Sequence, residues 1–157
     1  MRHALAEEAE YGAKDIDRNL TSDGEIVASK MGRLLSGVMG KAEHIICSTA
    51  MRTRQTAGML AEQLQFNPVH IDFTEELYEA PTRILLRLIN ELDEKHSKVI
   101  VVGHNPSISY LAEYVSGAEI GNVSPAGVVH LKYDGSWTEV SEKIMELAQY
   151  YDPVVVE

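Results

Sequence analysis

The chain is poor in cysteine, in positive charge and in long apolar runs, and each shortage removes a class of protein. Cys47 is the single cysteine among 157 residues, which rules out an internal disulfide and a multi-cysteine zinc cluster. No oxidising compartment is needed, so the expected location is the cytoplasm. Fourteen lysines and arginines stand against 24 aspartates and glutamates, for a formal charge of -10. Nucleic-acid backbones are held by clustered basic side chains, so this balance argues against a nucleic-acid partner. It also means that a site for a small anion must gather its few cations in one place, against the field of the whole molecule. No apolar run approaches the ~18 residues of a membrane span, and no basic stretch followed by an apolar segment opens the chain, so no membrane association is expected. No Gly-x-Gly-x-x-Gly run follows a strand-like segment, which dismisses a dinucleotide site. Repeats, linkers and low-complexity tracts are lacking too. What is present is 45% hydrophobic residues, enough for one sizeable core, and residues 1–157 are expected to form a single domain that nothing requires to be more than a monomer.

Apolar positions Ile26, Val27, Met31, Leu34, Leu35 and Val38 recur at helical spacing and predict a helix from Thr21 to about Val38, opened by a capping box of Ser22 and Glu25 and stopped at Gly40. His44 to Cys47 reads as a short strand, and Ser48-Thr49 as the cap of a helix carrying Thr56, Ala57, Met59, Leu60 and Leu64. Val69 to Phe73 predicts a second strand, Thr82 to Glu94 a helix, and the β-branched run Lys98 to Val102 a buried central strand. Pro106 suits the first turn of a helix ending at Ser116-Gly117. Val128 to Tyr133, Asp134-Gly135 and Trp137 to Val140 read as a hairpin, with a short helix from about Ser141 to Tyr150 closing the chain. Alternating strands and helices imply an α/β fold, a three-layer α/β/α sandwich over a mostly parallel sheet, with ligands beyond the carboxyl ends of the strands. A hydrophobic strand is expected ahead of Arg2-His3, so the first strand is expected to be truncated.

Three strand ends then converge on one crevice. Arg2-His3 is weak evidence alone, because such pairs occur by chance. Ser48 to Ala57 puts Arg52 and Arg54 in the first turns of a helix, where cations oppose the macrodipole and an anion would offset them. A solvated helix start paired to nearby acids fits that segment as well as a phosphate held by planar guanidinium bonds. In Val101 to Pro106, Gly103 would bring backbone close to a ligand while His104 projects past a rigid strand. Arg54 lies about 200 degrees around the helix from Arg52 and is expected to face elsewhere.

Together, Arg2-His3-Ala4, Ser48 through Arg52-Thr53-Arg54-Gln55-Thr56-Ala57, and Val102-Gly103-His104-Asn105-Pro106 resemble the histidine phosphatase superfamily, which shares the phosphoglycerate-mutase fold. Asp17 to Gly24 and Glu76-Leu77-Tyr78 are similar to its small phosphohistidine phosphatases. The resemblance implies that His3 is the nucleophile that becomes phosphorylated and that Arg2, Arg52 and His104 hold the phosphoryl oxygens, with no metal or cofactor. A neutral imidazole nitrogen attacks phosphorus while positive groups stabilise the equatorial oxygens. Arg2, Arg52 and a protonated His104 would balance a phosphate of about -1.5 to -2 charge. Arg18 is a candidate for the phosphate or its carrier, or for an ion pair with Asp15 or Asp17. Asn105 offers its amide to a phosphoryl oxygen or caps the Pro106 helix, the second being favoured. Relatives acting on phosphate monoesters place a glutamate where Glu79 stands, which makes it the candidate general acid, against a solvated loop carboxylate. The implied partner is a phosphorylated protein (phosphohistidine) or a small phosphate ester. A small-molecule phosphomonoesterase and a non-catalytic phosphohistidine-binding module are the alternatives. His44, His70, His96 and His130 show no metal-ligand spacing, and Cys47 reads as a small buried hydrophobe.

Overall fold

Side chains alternate between the two faces of a strand, and in this chain both faces are apolar, which demands a helical layer on each side. The computed structural model, which describes residues 1–155, shows that arrangement. Strands β1 (His44–Ser48), β2 (Asp72–Thr74) and β3 (Val99–Val102) form a parallel sheet in the order β2-β1-β3, with Ile45 opposite Ile100 and Cys47 between Phe73 and Val102. Ile45, Cys47, Ile100 and Val102 pack with Met31 and Leu35 of α1 (Ser22–Met39) and Leu60 of α2 (Met51–Gln63). Ile46 enters a second cluster with Leu85 of α3 (Thr82–Asn90) and Leu111 and Val115 of α4 (Ser107–Ser116), and Val99 and Val101 pack against it. Each such fully buried Leu or Met stabilises the fold by roughly 1.5–3 kcal/mol.

The first three residues complete the framework of the site. Met1 O accepts from Gly103 N at 3.1 Å and His3 N donates to Gly103 O at 3.0 Å, while on the other side Arg2 N donates to Gly127 O and Ala126 N to His3 O. His3 is thereby held on both sides at the carboxyl end of β3. Gly24 lets α1 begin directly under the loop that follows His3, because a Cβ there would stand 2.2 Å from Leu5 O.

Several local expectations are corrected. The cap of α1 is Thr21, whose hydroxyl accepts from Gly24 N at 2.9 Å, one residue before Ser22. Neither Ser48 nor Thr49 caps α2; Ala50 stands at that position without a side-chain bond. The second strand starts at Asp72, because Pro68 lacks an N–H and opens a 3-10 turn over Pro68–His70. The helix after His104 starts at Ser107, with Pro106 at its cap position. The largest departure is at the end of the chain. Trp137–Glu139 is a 3-10 turn, pinned by Glu94, which accepts from Trp137 N, and by Trp137 Nε1, which donates to His96 O. The antiparallel partner of β4 (Val128–Lys132) is instead β5 (Glu146–Tyr151), where a helix was expected. Glu142 to Ala148 contains good helix formers, yet pairing an otherwise bare strand edge outweighs an intrinsic preference of tenths of a kcal/mol per residue.

Candidate active site

Strand-to-helix connections after β1 and β3 and the segment Met1–His3 bring the predicted residues together. The His3 and His104 rings lie 5.4 Å apart, centroid to centroid. Arg52 Nη2 is 3.4 Å from His104 Nδ1, and the charges of Arg2 and Arg52 bear on both imidazoles. His3, Arg2, Arg52 and His104 therefore share one pocket.

The hydrogen bonding of His3 sets its tautomer. Its Nδ1 lies 2.7 Å from Ala4 O, and a carbonyl can only accept, so the proton sits on Nδ1 and Nε2 keeps its lone pair. The backbone there is tied to α2: Ala4 N donates to Thr56 Oγ1 at 3.0 Å, and the same hydroxyl donates to Arg52 O at 2.7 Å. One buried threonine thus couples the histidine's segment to the arginine's helix.

Arg2 and Arg52 are arranged alike. Arg2 Nη1 donates to Val123 O at 2.9 Å, and Arg52 Nη1 and Nη2 donate to Asp15 O and Oδ2 at 2.8 and 3.0 Å. Both Nε atoms are buried and have no hydrogen-bond partner among the described residues. A buried donor left unpaired costs about 1–3 kcal/mol, so two of them beside a histidine with a free lone pair constitute a site built for an acceptor. Arg52 is 6% exposed and occupies the first turn of α2, where the helix dipole adds to the positive potential.

His104 Nε2 lies 2.8 Å from the fully buried Ser48 hydroxyl. As the side chains stand, Arg52 can only donate to Nδ1, so Nε2 carries the proton. The serine hydroxyl could equally donate to Nε2 in the other tautomer, which would leave Nδ1 protonated. Burial first, then the Arg52 and His3 charges, push the His104 pKa down to about 3. Burial likewise pushes His3 down to about 4, with the Ala4 bond opposing and Arg52, Arg2 and Arg18 adding to the shift. Both imidazoles are neutral at pH 7, which is the form a nucleophile requires.

A pH dependence follows. Both folded-state values lie below the ordinary histidine pKa of 6.5, so as pH falls below about 6.5 the unfolded chain binds protons that the folded chain does not. Stability contributed by the two neutral imidazoles is full above about 6.5 and drains away down to about 3. Denaturant midpoints are expected to fall between pH 7 and pH 4.5. The kcat/KM of the free enzyme should show no histidine limb near 6.5, only a decline toward pH 4.

The remaining candidates are placed as follows. Arg18 donates from Nη1 to Asp15 Oδ1 at 3.0 Å and from Nε to Glu7 O at 2.6 Å, at the rim of the pocket. Asn105 does not cap α4; its amide donates to Asn122 Oδ1 and Val123 O while its Oδ1 accepts from Ser109. It ties together the loop that also holds Arg2. Gly103 does not approach a ligand: its pairing groups are used by Met1 and His3, and a Cβ would press on Ile108 at 3.2 Å. Arg54 faces away, stacked 4.3 Å over Phe73. Glu79 is exposed and has a positive φ of 51 degrees. Its neighbour Tyr78 packs edge-on against His104 at 5.7 Å. Burial pushes the Cys47 thiol up to about 12, which keeps it inert. His44 and His96, distant in sequence, stack at 4.9 Å, at the end of β1 away from Ser48. Asp15 was legible only as an ion-pair partner for Arg18. In the structure it also binds Arg52 and the Tyr78 hydroxyl, contacts that local spacing does not reveal. A groove of about 660 Å³ runs along β3 and β4 past Val99, Leu131, Trp137 and Met145. None of His3, Arg2, Arg52 and His104 lines it.

Two histidines and two arginines thus gather beyond the carboxyl ends of β1 and β3. Residues 1–82 match the model of the histidine phosphatase superfamily (branch 1), and the chain belongs to that superfamily. The uncharacterized protein Rv1276c of Mycobacterium tuberculosis is 30% identical over 163 residues, covering 98% of this chain and 99% of the relative. Among solved structures, the putative phosphohistidine phosphatase SixA from Nakamurella multipartitia superposes with a TM-score of 0.85 at 28% identity, covering 99% of this chain and 94% of the other. The putative phosphohistidine phosphatase SixA from Agrobacterium tumefaciens does so with a TM-score of 0.83 at 26% identity, over 98% and 95%. Family and neighbours support phosphatase activity and the phosphoglycerate-mutase-like α/β fold.

Proposed function

We propose that the protein hydrolyses protein phosphohistidine by way of a covalent phosphohistidine on His3, without a metal ion. The observation that carries this reading is the pair of buried, unpartnered Nε donors of Arg2 and Arg52 beside a histidine whose Nε2 lone pair is free. In the first step Nε2 bonds to phosphorus as the substrate's P–N bond breaks. The two arginines, with Nδ1 of His104, take the equatorial oxygens where charge is spread. The departing imidazole takes a proton from water. In the second step water attacks the phosphoryl group on His3, which leaves with the imidazole lone pair restored, and inorganic phosphate is released.

Substrate class follows from what the leaving group needs. An alkoxide must be protonated as it departs, whereas imidazole leaves readily from phosphorus. Glu79, the one carboxylate proposed as an acid, is exposed and makes no hydrogen bond among the described residues, so the reading assigns it no step. The names of the two structural neighbours point the same way. Brief incubation with a phosphohistidine-bearing protein, an alkaline quench and peptide mapping is expected to find phosphate on His3. Turnover without any phospho-His3 would remove the covalent mechanism, and faster cleavage of an aryl phosphate than of phosphohistidine would reverse the substrate assignment.

A further inference from the structure

The geometry points to Asp15 as an internal counter-ion that competes with the phosphoryl group for Arg52, weakening oxyanion binding and so governing how fast inorganic phosphate leaves. The inference rests on the reading of the pocket given above. Asp15 sits at the start of the three-residue 3-10 turn Asp15–Asp17. Its Oδ2 accepts from Arg52 Nη2 at 3.0 Å and from the Tyr78 hydroxyl at 2.9 Å, and its Oδ1 accepts from Arg18 Nη1 at 3.0 Å. The arginine atom it engages is the one 3.4 Å from His104 Nδ1. An oxyanion seated between the two imidazoles and Arg52 therefore comes close to the Asp15 carboxylate, and two like charges a few ångströms apart at a half-wet rim repel. Arg18 and Tyr78 bonds hold the carboxyl down at about 2, so the charge persists throughout the working pH range.

The arrangement also supplies a second place for that charge. The Asp15 side chain is 45% exposed, and Arg18 is anchored separately to Glu7 O. If a phosphoryl oxygen takes Arg52 Nη2, Asp15 keeps its bond to Arg18 and turns toward water. When phosphate leaves, the carboxylate returns and neutralises a buried guanidinium. Asp15 thus makes the bound state less favourable relative to the free one, which shortens the life of the product complex.

The test is the affinity for orthovanadate and inorganic phosphate by calorimetry at pH 7.5 in the wild type, Asp15→Asn and Asp15→Glu. Asparagine keeps a carbonyl acceptor for Arg52 and Tyr78 but removes the charge. Asp15→Asn is expected to bind both anions about tenfold more tightly, near 1.4 kcal/mol, and to show a pre-steady-state burst followed by slower release. Asp15→Glu should remain within about threefold of the wild type. Equal or weaker binding by Asp15→Asn would overturn the inference and leave Asp15 as a support for Arg52 alone. Tighter binding together with no phospho-His3 would sustain the inference and sink the catalytic reading. Binding by neither protein would overturn both.

Discussion

His3→Ala is expected to abolish turnover, with a loss of at least about 10³-fold in kcat, while leaving oxyanion binding largely in place. The two halves of this expectation come from different atoms. In the proposed mechanism turnover rests on the Nε2 lone pair, which the Ala4 bond to Nδ1 preserves. In the proposed reading anion binding rests on Arg2 and Arg52, whose Nη atoms are tied to Val123 and Asp15. Hydrolysis of phosphohistidine and calorimetric binding of orthovanadate, measured on the same preparation, separate them. A variant with full activity would exclude His3 as nucleophile. One that lost binding together with turnover would show that the pocket had collapsed.

Arg52→Met is the second large effect, with kcat expected to fall by about 10²–10³-fold. The methionine stem keeps much of the apolar bulk of the buried arginine's methylenes, so the loss falls on the donor rather than on the fold. Asp15, half-exposed, is left to water and to Arg18, and the melting temperature should drop by no more than a few degrees. Arg52→Lys should lie between the two, because an ammonium group restores charge but cannot serve Asp15 and a phosphoryl oxygen through separate edges of one planar fork. The reading requires kcat to respond, since Arg52 is placed to meet charge that grows in the transition state. A rise in KM with kcat unchanged would make Arg52 a uniform binding group instead.

How much of this could be read from the chain depended on range. The helices at Ser22–Met39, Met51–Gln63 and Thr82–Asn90, and the strands at His44 and Val99, announce themselves by periodicity within a dozen residues. The Glu146–Tyr151 strand does not, because its conformation is decided by β4, fourteen residues earlier and across a turn that Glu94 pins. A helix-favouring segment yields to a strand edge that needs a partner.

The same division runs through the site. Residue types and order along the chain were enough to carry a resemblance to the histidine phosphatase superfamily, and it was that resemblance that nominated His3, Arg2, Arg52 and His104. Which nitrogen of His3 is free, which atoms of each arginine lack a partner, the depressed pKa of His104 and the contacts of Asp15 were decided by the tertiary structure alone. The contacts of Arg2, Arg52 and His104 join groups 37 to 121 residues apart, while the His3 tautomer is set by the carbonyl of the next residue, Ala4; a proton's position or a guanidinium's free edge has no local signature in sequence.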